Sequence, residues 1–218
     1  MRSRIKRIRD PMQHSEWLPV YREIIKDMGY SQSDDESSAR LLKTVMCNHD
    51  LIDDEELGTY ISEKSTIYGG AYAGGSTPSG TVIATGASIP VLLSENIVPD
   101  IIVTDLDGDV GSQKNASRLG SVTVMHAHGD NTDAIMEHAG DFQGKVILTT
   151  QSRPDMVIYN FGGFTDGDRA VCIARHFHSF VKLEGFDFDN IAVKEGSDIN
   201  VKRKKLQWAE RIIFELFP

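Results

Sequence analysis

The chain predicts an α/β fold, a mostly parallel sheet with flanking helices behind an N-terminal helical hairpin, on three observations. From about residue 65, short runs rich in Val, Ile and Thr alternate with segments of helical period, the pattern of βαβ units. Several of these runs are continuously apolar, as strands buried on both faces are. The runs stop at acidic, glycine-spaced turns: Asp105-Leu-Asp107-Gly-Asp109, His126-Ala-His128-Gly-Asp130-Asn-Thr-Asp133 and Gly162-Gly-Phe-Thr165-Asp166-Gly-Asp168-Arg169.

Residues 14–47 read as the helical hairpin. Trp17, Tyr21, Ile24, Ile25 and Met28 keep helical spacing, Pro19 is placed in the first turn, where a missing N–H is tolerated, and Gly29 stops the helix. Ser33-Asp-Asp-Glu36 has the form of a capping box for a second helix with Ala39, Leu42, Val45 and Met46 on its apolar side. The acidic stretch 50–58 is expected to be a solvated connector. Strands are expected at 66–68, 81–85, 101–104, 121–125, 146–150 and 156–160, and helices at 88–95, 112–119, 132–138 and 166–179. A last helix over about 204–216 carries Leu206, Ala209, Ile212, Ile213 and Leu216 on one side. The glycine-rich loop 69–80 lacks the Gly-Lys-Ser/Thr of a P-loop and does not fit G-x-G-x-x-G, so a flexible surface hairpin competes with a phosphate cradle there.

With 218 residues, 40% hydrophobic and 25% charged, the chain is long enough for a substantial core and ordinary in composition for a globular protein. A formal charge of −9 argues against a nonspecific nucleic-acid binder, which needs a basic face. Cys47 and Cys172 lie in different segments without metal-ligand spacing, so free thiols and a cytoplasmic location are expected. The basic start, 1–9, is followed by no apolar h-region, so a secretory signal is not expected, nor is a membrane span or membrane partner.

In open α/β sheets ligands bind outside the carboxyl ends of the strands, so three acidic turns at three strand ends converge on one crevice. Gathering carboxylates there is repulsive unless a cation or protons offset it, and hard oxygen ligands suit Mg²⁺. Asp105 and Asp107, two residues apart after Ile-Ile-Val-Thr, can share or bridge a metal; an acidic turn is the bland reading. His126-Ala-His128 invites zinc but lacks a third ligand beyond Asp130, and the alternative has one His packed under the sheet edge while the other faces the cleft. Asp130 and Asp133 span a helix start, where amides favour anions, with an N-cap role for Asp130 or Asn131 as the competitor. Thr165 and Asp168 satisfy a capping box, which leaves unexplained Arg169, a cation in a first turn that points to an anion. Lys202-Arg-Lys-Lys205 near the last helix start is either a solvated patch or a lid reaching phosphates, with Lys204 and Lys205 as candidate contacts.

On these residues the chain resembles the archaeal 6-hydroxymethyl-7,8-dihydropterin pyrophosphokinases. The resemblance is carried by Val98-Pro-Asp-Ile-Ile-Val-Thr-Asp-Leu-Asp-Gly108, by His126-Ala-His-Gly-Asp-Asn131 and by Asn160-Phe-Gly-Gly-Phe-Thr-Asp-Gly-Asp-Arg-Ala170. The opening Glu16-Trp-Leu-Pro-Val-Tyr-Arg-Glu-Ile24 and the late Lys204-Lys-Leu-Gln-Trp-Ala209 extend it over nearly the whole chain. Where that family tends to show A-D-G-A, this chain has Ala84-Thr85-Gly86-Ala87, and the region 69–80 replaces a G-A-G-P-S-L-like turn. The resemblance implies a Rossmann-like catalytic domain over 61–218, with a C-terminal helix, and an N-terminal helical region over 1–60 packed on it. It implies an ATP-dependent diphosphotransferase acting on a dihydropterin in tetrahydromethanopterin- or folate-type synthesis, with Mg²⁺ held by Asp105, Asp107, Asp130 and Asp133. Arg169, Lys204 and Lys205 would contact phosphate, and Thr165, Asp166 and Asp168 would join the substrate site. Asp105, Asp107, Asp130 and His128 are the expected catalytic set, with the base open among His126, His128 and a metal-bound water. A homo-oligomer is compatible with this reading. The competing readings are a thiamine pyrophosphokinase of related fold, a metal-dependent nucleotide-sugar transferase resembling a group associated with flagellin modification, and a non-catalytic nucleotide binder.

Overall fold

The computed structural model describes residues 12–189 and 198–217; the basic start 1–9 lies outside them. In chain order the elements are α1 His14–Met28, α2 Gln32–Val45, β1 Asp50–Leu51, α3 Asp54–Thr59, β2 Lys64–Tyr68, β3 Thr81–Thr85, α4 Ile89–Ser94, β4 Ile101–Thr104 and α5 Val110–Arg118. There follow β5 Val122–Ala127, α6 Thr132–His138, a 3₁₀ turn, β6 Lys145–Thr150, β7 Ile158–Tyr159, α7 Asp166–His176, β8 Phe180–Glu184 and α8 Ile199–Arg211, which runs on as a π-helix over Ile212–Leu216. Among the described residues eight strands form one all-parallel sheet in the order β1-β6-β5-β4-β3-β2-β8, with β7 also on β6.

Strand alternation divides the apolar residues between two cores. Ile102, Met125 and Leu148 face the layer with Leu42, Leu92, Ala116 and Ile135 from α2, α4, α5 and α6. Ile101, Val103, Val124 and Ile147 face the opposite layer, with Leu57 of α3 and Ala170, Val171 and Ala174 of α7. A third cluster joins Trp17, Tyr21 and Ile24 of α1 to Phe164, Cys172, Trp208 and Ile212. The two N-terminal helices therefore feed different clusters, α1 that of α8 and α2 that of α6, instead of packing chiefly on each other.

Several expectations are corrected. The stretch 50–58 is no solvated loop: it contains β1 and α3, with Asp53 accepting the Glu56 N–H at 2.8 Å as N-cap and Ile52 and Leu57 buried. The edge strand β8 was missed because Phe-Val-Lys-Leu-Glu is short and half polar; its partner is β2, more than a hundred residues away in sequence. The last helix begins at Ile199, capped by Asp198, not near residue 204. Ser31, two residues before the expected box, caps α2 through the Asp34 N–H. Pro19 lies inside α1, beyond its first turn. Gly29, at φ 72° with its N–H bonded to Ile25 O, does end α1 as expected. Both cysteines are free, and among the described residues no helix is long and apolar enough to cross a membrane.

Candidate active site

The carboxyl ends of β2, β3, β4, β5, β6 and β8 open onto a cleft of about 410 Å³, closed on the other side by the start of α7 and one face of α8. The glycine-rich loop contributes Gly69, Gly70 and Ala71 at its start. Its remainder is pinned by Glu95, which accepts from the Tyr72 hydroxyl at 2.8 Å and the Gly75 N–H at 2.6 Å, so it is not a free hairpin.

At the end of β4, Thr104 Oγ1 accepts the Leu106 N–H at 2.8 Å and Leu106 takes φ 68°. A left-handed Leu is costly; here its side chain is anchored in the core at 2% exposure. The turn so formed brings Asp105 and Asp107 to the cleft wall. Asp109 instead caps α5, accepting from Ser112 N and Oγ at 3.0 and 2.7 Å.

His128 sits against Asp105, Nε2 to Oδ2 3.3 Å. Its Nδ1 accepts the Asp130 N–H at 3.2 Å, which fixes the tautomer with the proton on Nε2, donated to Asp105. Both ring nitrogens are thereby engaged, one by Asp105 and one by the Asp130 amide. His126 is buried behind it. Thr149 Oγ1 donates to Met125 O and therefore accepts from His126 Nδ1 at 3.0 Å, leaving His126 Nε2 without a partner among the described residues. Burial, with Arg169 and His128 adding to it, pushes the His126 pKa well below its ordinary value. One His packed and the other at the cleft is the arrangement found, and among the described residues no three His, Cys, Asp or Glu side chains form a metal-holding cluster.

Asn131 occupies the N-cap position of α6 without capping it through its side chain. Its Nδ2 donates to Asp105 O at 2.9 Å and His126 O at 2.8 Å, while its Oδ1 accepts from His128 N at 3.0 Å and Ser38 Oγ at 3.1 Å. It ties the ends of β4 and β5 together, a role its sequence position did not disclose. Asp130 and Asp133 are exposed and do not line the cleft; Asp130 lies at the rim, hydrogen-bonded to the Tyr30 hydroxyl. That contact follows burial as a cause of the Tyr30 pKa rising to about 12.

Across the cleft, Asp168 closes the capping box of α7. It is fully buried and accepts from the N–H groups of Phe164 and Thr165 and from the Thr165 hydroxyl. It is a cap and not a cleft residue. Thr165, Asp166 and Arg169 do line the cleft. Arg169, 4% exposed, donates to Asp166 Oδ1 at 3.0 Å, Phe164 O at 2.6 Å and Gln151 Oε1 at 3.4 Å, and its Nε has no partner among the described residues. Gly163, φ 91°, makes room for it: a Cβ there would lie 2.5 Å from Arg169 Cα.

The electrostatics separate two carboxyls. Burial pushes Asp105 up, but the His128 hydrogen bond and the charges of Arg169 and Lys205 outweigh it and hold Asp105 well below the usual range. Asp166 is pushed well up by burial and by Asp105, against the opposing pull of Arg169. The two cleft carboxyls are thus pushed in opposite directions.

On α8, residues 202, 205, 206 and 209 share a face, and Lys202, Lys205, Leu206 and Ala209 line the cleft. Lys205 also lies over the Tyr30 ring, 5.9 Å from its centroid. Lys204 points the other way, to Asp27 O and Oδ1 at 2.9 and 2.8 Å. Sequence reasoning missed Gln151, Tyr30 and the segment Gly185-Phe186-Asp187-Phe188 after β8, all lining the cleft. Only the glycine before Phe186 hinted at a turn there.

Comparison with known proteins gives one consistent result. The family model described as "6-hydroxymethylpterin diphosphokinase MptE-like" matches residues 76–191. A protein of Pyrococcus furiosus named 6-hydroxymethyl-7,8-dihydropterin pyrophosphokinase is 40% identical over 191 residues, 84% of this chain and 81% of that protein. Proteins of the same name from Methanothermobacter thermautotrophicus and Methanocaldococcus jannaschii are 35% and 32% identical, each over 93% of this chain and 94% and 95% of their own length.

Proposed function

The chain belongs to the MptE-like family of 6-hydroxymethylpterin diphosphokinases, and we propose that it transfers the β,γ-pyrophosphoryl unit of ATP to the hydroxymethyl group of a 6-hydroxymethyl-7,8-dihydropterin, releasing AMP. The observation that supports the reading best is the polarity of the cleft: Asp105 and Asp107 on one wall face Arg169, Lys202 and Lys205 lining the others. A metal-bound polyphosphate needs both signs at once.

Mg²⁺ is characteristically held by one or two carboxylates together with substrate phosphates, and Asp105 with Asp107 fits that donor set without a preformed protein cage. When bound, such an ion would offset the charge of the phosphates. Asp130 stands at the rim beside the Tyr30 hydroxyl, and Asp133 lies off the cleft. His128 keeps Asp105 ionised and aimed. Arg169, held by three acceptors, presents a fixed guanidinium, whereas Lys202 and Lys205 follow α8. In the transfer the acceptor hydroxyl oxygen bonds to the β-phosphorus as the bond from that phosphorus to the oxygen of AMP breaks. The hydroxyl proton is released as that bond forms.

The test is incubation with Mg·ATP and the dihydropterin, in parallel with thiamine and with Mg²⁺ omitted, resolving products by mass. AMP and a diphosphorylated pterin, formed only with Mg²⁺, are expected. Diphosphorylated thiamine, ADP, or no acceptor-dependent product would overturn the assignment.

A further inference from the structure

A buried carboxylate of the N-terminal helices reaches both walls of the cleft. Asp35, on α2 and 2% exposed, accepts the Gly129 N–H at 2.7 Å through Oδ1. Through Oδ2 it accepts the Tyr21 hydroxyl at 2.7 Å and Gln151 Nε2 at 2.9 Å. Gly129 is the residue between His128 and Asp130, and a Cβ on it would come 2.8 Å from Asp34 Cβ, so α2 lies directly against that turn. Gln151, at the end of β6 and 3% exposed, turns its other amide atom, Oε1, to Arg169 Nη2, and its main-chain oxygen accepts from Trp17 Nε1 at 2.8 Å.

These bonds have a fixed direction. Asp35 only accepts and Arg169 only donates, so the amide between them must point NH₂ to Asp35 and oxygen to Arg169. Among the described residues no cation touches Asp35; burying such a carboxylate is costly unless donors saturate it, and three do. We propose that Asp35 is a positioning residue for phosphate binding: through Gly129 it seats the His128 turn, and through the polarity of Gln151 it orients Arg169. This makes the N-terminal helices a working part of the site, and it rests on the phosphate-binding role given above to Arg169.

The Asp35→Asn substitution keeps the shape and reverses one partner. An amide NH₂ toward Gln151 forces that side chain to turn over, so that it presents NH₂ to Arg169. Adding Gln151→Glu restores an acceptor to both neighbours. Affinity for inorganic pyrophosphate with Mg²⁺, by titration calorimetry, reads this without depending on the acceptor. Asp35→Asn should weaken it roughly 10–100-fold, and Asp35→Asn with Gln151→Glu should recover most of the loss. Gln151→Glu alone, which sets two carboxylates against each other, should also weaken binding and be rescued by Asp35→Asn. That second arm serves if Asp35→Asn alone does not fold. Unchanged affinity in a folded single variant would overturn the inference. So would a double variant with wild-type melting that stays as weak as either single one. Wild-type protein that binds pyrophosphate but forms no diphosphopterin would sink the functional reading while leaving this comparison intact.

Discussion

Asp105-Leu-Asp107, after β4, and Asp166-Gly-Asp168, opening α7, carry two carboxylates at the same spacing on facing walls of one cleft. After β4 the chain leaves the strand through a left-handed Leu106, and both carboxylates reach the cleft. At α7 the chain is already helical, so Asp168 folds back on the Thr165 and Phe164 amides and Asp166 pairs with Arg169. Backbone conformation, not the residue pair, decides whether such a motif meets ligand or closes a helix.

Substitutions can sharpen that contrast. The largest effect is expected from Asp105→Asn, which removes the ionised carboxyl that His128 orients: turnover should fall by about 10³-fold while the protein stays folded. Turnover and Mg²⁺-dependent ATP affinity at wild-type levels would make the first turn another cap and favour a non-catalytic protein. Asp168→Ala should do the reverse, losing about 2–4 kcal/mol of stability by denaturant unfolding, because a cap is removed and buried donors are orphaned. A fully stable variant with abolished substrate binding would make Asp168 a ligand.

The smallest effect is expected off the cleft, where Asp27 of α1 accepts from Lys204 Nζ and Trp208 Nε1 of α8. The Lys204 and Trp208 hydrogen bonds hold its carboxyl below the ordinary value. This tie adds stability above the unfolded-state pKa of Asp and loses it as pH falls through the lowered one. Asp27→Asn should therefore melt slightly lower than wild type at neutral pH, and the gap should close in strong acid. A gap that widens on acidification would contradict the assignment. Lys204 is spent on this contact, whereas Lys205, one residue on, faces the cleft.

Much of the frame was legible because it is local. Val and Ile runs mark strands, Thr165 with Asp168 marks a helix start, and Gly29 marks a helix end, each through partners within a few residues. The family was legible for the same reason, in contiguous turns. The short α3 and β8 escaped because their apolar content is too small to show a period.

The sequence by itself determined the parallel α/β frame, the acidic turns at the strand ends and the family. Only the tertiary structure decided which carboxylates meet in the cleft, which basic residues of α8 face it, and that Asp35 reaches it. The reason is physical: Asp35 is 94 residues from Gly129 and 116 from Gln151, and such bonds are set by strand order and helix packing, not by any spacing along the chain.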